Sequence, residues 1–184
     1  NESEAARINP TPVIGMVGVT KNYLRTVSSG FTKSNAVILQ LGTPDLDAGG
    51  SEYYRIFFDV YGNAPKINSG AENKLQTAVR KLIEQGLIFS AHDISEGGFA
   101  CAIAEACFQN NIGAKITMPA GTDIHTELFA ETPGRIIVSC DIIHLPEIEK
   151  ILNNSSVAYK NIGVTGGNRM RVNDTLDATI QYIS

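Results

Sequence analysis

Tryptophan is absent from this sequence, and cysteine occurs only as Cys101, Cys107 and Cys140. An odd number of thiols with no CxxC pair excludes a disulfide framework and a cysteine-based zinc site. Cys101 and Cys107 fall in an apolar helical pattern and Cys140 in an apolar strand pattern, which predicts buried free thiols in a reducing cytoplasm. His92, His125 and His144 have no metal-ligand spacing, so no metal site is predicted. There is no surplus of positive charge either: 15 Lys and Arg against 19 Asp and Glu give a net charge of -4. Without a basic stripe or an aromatic RNA-reading cluster, nucleic-acid binding is excluded. A net negative surface does not draw in phosphorylated ligands from a distance, so any anion site must be local. No apolar run approaches the roughly 18–20 residues of a membrane span. The opening Asn1-Glu2-Ser3-Glu4 lacks the charged and apolar regions of a signal peptide. It also lacks an initiator Met, which fits either removal of that Met or excision from a longer chain, and 1–184 reads as a single domain.

What is present is a core-forming composition, 43% hydrophobic, enough to fold without a staple. Strands are predicted over 13–19, 36–41, 87–91, 112–118, 135–140 and 157–164. The run AVILQL at 36–41 is nearly all apolar, as for a strand covered on both faces. The span 52–60 reads as strand or helix, because its apolar residues crowd every face. The clearest helix is 71–85, with Leu75, Val79, Leu82 and Ile83 on one stripe and Gly86 in the terminating position. Further helices are predicted over 99–108, over 145–152 with Pro146 in the first turn, and over 175–183. The sum is α+β: an α/β sandwich in which a mixed sheet carries packed helices.

Three loops have the parts of a site. In 92–98, His-Asp-Ile-Ser-Glu-Gly-Gly, a strand runs into a helix. The glycines let amides approach a ligand, and the helix terminus favours an anion. From pattern alone the loop reads first as a tight strand-to-helix turn in which Asp93 or Ser95 caps the helix. Gly49, Gly50, Ser51 and Glu52 repeat the arrangement, with Ser51 either a phosphate donor or an N-cap. Glu52 repels phosphate and suits an amine, amide or Mg²⁺, or a helix first turn. Glu131 and Arg135 flank Thr132-Pro133-Gly134. They form either a fixed pair, a phosphate grip through Arg135, or a solvated surface pair. The run 163–167, Gly-Val-Thr-Gly-Gly, lacks the Lys of a phosphate-binding loop and reads as a strand ending in a turn.

In this order the motifs resemble one family. Residues 9–19 (NPTPVIGMVGV), 49–53 (GGSEY), 91–98 (AHDISEGG) and 131–135 (ETPGR) resemble the second C-terminal-type domain of formylglycinamide ribonucleotide amidotransferases, also called phosphoribosylformylglycinamidine synthases. The Asp-x-Ser-x-Gly-Gly loop is shared more widely across the aminoimidazole ribonucleotide (AIR) synthetase superfamily. Two positions depart from the usual pattern: Asp47-Ala48 before the glycines, and Thr132-Pro133. The resemblance implies an AIR-synthase C-terminal-like sandwich with partial ferredoxin-like topology. It also implies a cytoplasmic parent enzyme, an ATP- and Mg²⁺-dependent C–N ligase of purine biosynthesis. That parent converts formylglycinamide ribonucleotide and glutamine-derived ammonia to the amidine.

The implied partners are upstream ATP-site domains of the same parent and a glutaminase domain or subunit, and a homo-oligomer is compatible. Carried over by position, Gly49, Gly50, Ser51 and Glu52 are substrate contacts. Asp93, Ser95, Gly97 and Gly98 face the nucleotide side of the cleft, and Glu131 and Arg135 support it. No catalytic residue is assigned within this stretch, and the isolated piece is expected to be inactive, with no cofactor of its own. A kinase or synthetase of the selenophosphate or thiamine-monophosphate type, and a non-enzymatic oligomerisation module, are the alternatives.

Overall fold

The computed structural model describes residues 13–20, 22–60, 62–118 and 123–183. Seven strands form one sheet: β1 Val37–Gly42, β2 Ile88–Asp93, β3 Ala114–Ile116, β4 Arg135–Cys140, β5 Tyr159–Thr165, β6 Arg169–Val172 and β7 Leu176–Thr179. Their order is β2-β4-β1-β5-β3-β6-β7, antiparallel throughout except for the parallel pair β3 and β6. The helices are α1 Glu52–Phe58, α2 Ser69–Glu84, α3 Gly98–Phe108, α4 Ile124–Phe129 and α5 Leu145–Asn154.

The sheet order explains the topology. β1 and β4 lie centrally, β2 and β5 flank them, and the long helices α2 and α5 connect β1 to β2 and β4 to β5. These two split βαβ units are the ferredoxin-like half of the molecule. The remaining strands β3, β6 and β7 extend the sheet beyond β5. Two cores follow. Leu75, Val79 and Leu82 of α2 and Ile148, Ile151 and Leu152 of α5 pack on Val37, Leu39 and Leu41 of β1. On the other face Phe99, Ile103 and Cys107 of α3 pack on Ile38, Ile116, Met170 and Val172. Alternate residues of β1 serve opposite cores, so the strand is apolar at nearly every position, as its sequence predicts.

Local signals account for many boundaries. Gly86 has φ +69, and Leu87 N–H returns to Leu82 O at 3.0 Å, closing α2 with a left-handed C′ residue. Pro146 sits in the first turn of α5. The span beginning at residue 52 resolves as helix. Residues 163–167 end β5 in a turn, as expected.

Other expectations are corrected. Residues 13–20 form no strand: Val13, Ile14, Met16, Val17 and Val19 are all exposed. A strand exists only by pairing, and none of the described strands pairs with this segment. Pro10 and Pro12, with the rest of the N-terminal stretch, lie outside the described residues. The helix predicted over 175–183 is instead β7 followed by a 3₁₀ turn at Ile180–Tyr182. Its partner β6, four residues long, was too short to show a period and was not predicted. The short helix α4 was also missed, although Asp123 caps it by accepting from His125 N–H and Thr126 N–H. Cys107 and Cys140 are buried free thiols, but Cys101 is exposed on α3. Burial pushes the Cys107 thiol up to about 12, and burial with the nearby Asp141 charge pushes Cys140 up to about 11.

Among the described residues no helix is long and apolar enough to cross a membrane.

Candidate functional site

The loop before α1 is held by side chains. Ser51 caps the helix, accepting from Tyr54 N–H at 3.4 Å while its hydroxyl donates to Ala48 O at 2.6 Å. It is only 1% exposed, so its hydroxyl faces inward. Asp47 turns the chain by accepting from Gly49 N–H at 2.9 Å. Gly49 lies against the backbone carbonyl of Asn63, where a Cβ would collide, and Gly50 has φ +72. Glu52 forms a two-pronged ion pair with Arg55, and that guanidinium holds its carboxyl below the ordinary 4.5. The Glu52 side chain remains about one-third exposed, at 34%.

The loop before α3 is held differently. Asp93 ends β2 with its side chain 75% exposed, and Ser95 is exposed. The α3 cap is Gly97, with φ +77 and no side-chain hydrogen bond; Gly98 follows at φ +70. Neither Asp93 nor Ser95 caps the helix. Gly98 N–H closes the turn on Ser95 O at 3.0 Å. His92 is anchored by Nε2 to Glu105 Oε2 at 3.0 Å and by Nδ1 to Asp93 O at 2.7 Å.

Glu131 joins the two loops. Its Oε1 accepts from Glu52 N–H at 3.0 Å and from Gly97 N–H at 2.9 Å. The glycine loops therefore meet on one side of the molecule. Thr132 adds a second tie, accepting from Asp47 N–H at 2.8 Å and donating to Asp47 O at 3.0 Å. Thus the two departures from the family pattern, at Asp47 and Thr132, are hydrogen-bonded to each other.

Arg135 does not form the solvated surface pair with Glu131 weighed from sequence. It is 1% exposed and turns inward, donating to Thr132 O through Nε at 3.4 Å and to Ala130 O through Nη2. Burial lowers it to about 10, opposed by the nearby Glu127 charge. Its Nη1 has no partner among the described residues.

Beside the first loop lies an open groove of about 550 Å³, bordered by Asp47, Asn63, Lys66, Glu72 and Thr132 to Gly134. Its lining includes none of Asp93, Ser95, Gly97 or Gly98. Asp45, Asp47 and Glu72 outnumber Lys66 there, so its charge does not suit a free phosphate. Across the described residues no group of three His, Cys, Asp or Glu side chains is placed to hold a metal ion.

Sequence reasoning missed the aromatic support of this region. Tyr53 stacks on Phe129 at 4.6 Å between centroids, and its hydroxyl meets His125 Nδ1 at 2.9 Å, tying α1 to α4. The only available signal was Tyr53 following the Gly-Gly-Ser-Glu run.

Comparison with known proteins places this geometry in a family. The sequence model for AIR synthase related protein, C-terminal domain, matches residues 33–174. The phosphoribosylformylglycinamidine synthase subunit PurL of Thermoanaerobacter sp. (strain X514) is 39% identical over 173 residues, which is 94% of this chain and 24% of that protein. Thermotoga maritima PurL complexed with FGAR superposes with a TM-score of 0.73 at 18% identity, covering 88% of this chain and 30% of that chain. Phosphoribosylformylglycinamidine synthase II from the same organism gives a TM-score of 0.72 at 17% identity, covering 88% and 28%. This chain spans about a quarter of the length of the curated relatives it matches. Its sheet order, its glycine loops and the match across most of its length show that the chain belongs to the AIR synthase related protein, C-terminal domain, family.

Proposed function

We propose that this chain is one domain of a longer phosphoribosylformylglycinamidine synthase and forms a wall of its substrate cleft. The parent is a cytoplasmic ligase of purine biosynthesis. It converts formylglycinamide ribonucleotide, ATP, glutamine and water to the amidine, ADP, phosphate and glutamate, the nitrogen passing as ammonia released from glutamine. The amide oxygen of the substrate is phosphorylated, and ammonia displaces the phosphate. The observation that carries the reading is the convergence of two glycine loops, distant in sequence, on the single carboxylate of Glu131. The 39% identity to a PurL subunit supports it.

In this reading Gly49, Gly50 and Glu52 face the substrate, and Ser51 shapes their loop by capping α1. Asp93, Ser95, Gly97 and Gly98 border the side completed by an ATP-site domain. Glu131 and Arg135 fix both loops from behind. In this reading other domains of the parent hold the Mg²⁺ with the nucleotide. A glutaminase domain or subunit supplies the ammonia. Alone the piece is inactive. One helix terminus stabilises an anion by up to about 2 kcal/mol, whereas even millimolar binding requires about 4.1 kcal/mol.

The test uses the full-length parent with Asp93→Asn and Glu52→Gln made singly, both side chains being accessible. Amidine formation is followed with ammonia as donor, bypassing the glutaminase. A drop in kcat/KM of about tenfold or more is expected for each, as for loss of a charge-assisted contact. Unchanged kinetics for both removes the assignment.

A further inference from the structure

The connector between α4 and β4 holds both glycine loops through one atom. Glu131 Oε1 takes the Glu52 N–H, which opens α1, and the Gly97 N–H, which belongs to the cap residue of α3. Helix-start amides have no carbonyl partner inside their own helix, so an outside acceptor decides where they sit. The position of that acceptor is itself fixed. Thr132 is bonded twice to Asp47 on one side. Arg135, too buried to swing away, grips the carbonyls of Ala130 and Thr132 on either side of Glu131.

We propose that Glu131 is a positioning residue that couples the two loops, so that 47–52 and 93–98 keep one spacing and move as one body. The location of the acceptor oxygen, more than its charge, performs this role. A carboxylate or carboxamide oxygen has two lone pairs and serves both amides. A side chain one methylene shorter draws the oxygen away from both. The effect on turnover rests on the cleft reading above, whereas the coupling itself does not.

Amide hydrogen exchange resolved at Glu52 and Gly97 in this chain tests the coupling in Glu131→Gln, Glu131→Asp and Glu131→Ala. Glu131→Gln is expected to keep both amides within about threefold of the parent rate. Glu131→Asp and Glu131→Ala are expected to speed both together by about tenfold or more, the scale of a lost charge-assisted bond. If Glu131→Ala does not fold, Glu131→Asp decides. Acceleration at one amide alone, or an Asp variant that protects both as well as the parent while Gln does not, overturns the proposal. The same variants in the full-length synthase separate the two readings. A Glu131→Asp enzyme with freed amides but unaltered KM for the phosphorylated substrate leaves the coupling standing and removes the cleft assignment. A raised KM restored by Glu131→Gln supports both.

Discussion

The two glycine loops, DAGGSE at 47–52 and DISEGG at 93–98, have similar composition and each leads into a helix, yet they are built in different ways. The loop at 47–52 is shaped by side chains: the Ser51 cap, the Asp47 turn and the Thr132 clasp. The loop at 93–98 has no side-chain cap and relies on backbone shape, with two successive glycines at positive φ. Their common anchor is Glu131. Similar motifs therefore fail in different ways. The first can be weakened by removing its polar side chains as well as by adding a Cβ at Gly49, whereas the second has no side-chain cap to lose and is broken through its backbone when a Cβ is added.

The largest expected effect breaks the second loop. Gly98→Ala puts a side chain at φ +70 with its Cβ 2.8 Å from Leu128 O and the backbone of Phe129. Backbone strain and overpacking together are expected to cost about 4 kcal/mol, read from the denaturant midpoint. Wild-type stability would show that the α3 start yields more than this packing allows. Next, Arg135→Met frees the Ala130 and Thr132 carbonyls and removes a buried positive charge that interacts with Glu127. A loss of about 3 kcal/mol is expected, again by chemical denaturation. Accelerated amide exchange should appear in both loops, since the connector serves both. A smaller effect sharpens the contrast: Ser51→Ala removes one cap and should cost about 1 kcal/mol, with exchange changes confined to α1.

The smallest effect serves as a control far from both loops. Arg169 and Arg171 hold the Asp177 carboxyl below its ordinary 3.8 in the β6 and β7 hairpin. A carboxyl lowered in the folded state adds stability above the unfolded value, and that stability is lost as pH falls through the folded value. Acidification below about pH 4 should therefore loosen this hairpin, seen as NMR shift changes at Arg169 and Asp177. Asp177→Asn should abolish that pH response and leave the glycine loops unaffected.

Much of this architecture can be read from local chemistry. The stripe of α2, Gly86 at its end, Pro146 at the start of α5 and the doubly apolar β1 each carry their own signal. The segments that could not be read are those whose structure depends on a remote partner. β7 is a strand because β6 lies beside it, while 13–20 has strand-like composition and pairs with none of the described strands. Cys101 and Cys107 share one apolar helix, yet only Cys107 turns into the core, because the sheet covers one face of α3.

The site divides in the same way. That residues 49–52 and 93–98 would be tight glycine bends, the second of them opening a helix, follows from the chain itself, because few residues other than glycine adopt positive φ without strain. That 52–58 is a helix and not a strand was left open by its crowded apolar pattern. That the bends would meet was fixed only when β4 came to lie between β1 and β2 and carried the Glu131 connector to the ends of both loops. The inward turn of Arg135 was decided at the same stage, since a guanidinium is buried only where folding supplies carbonyls to receive it.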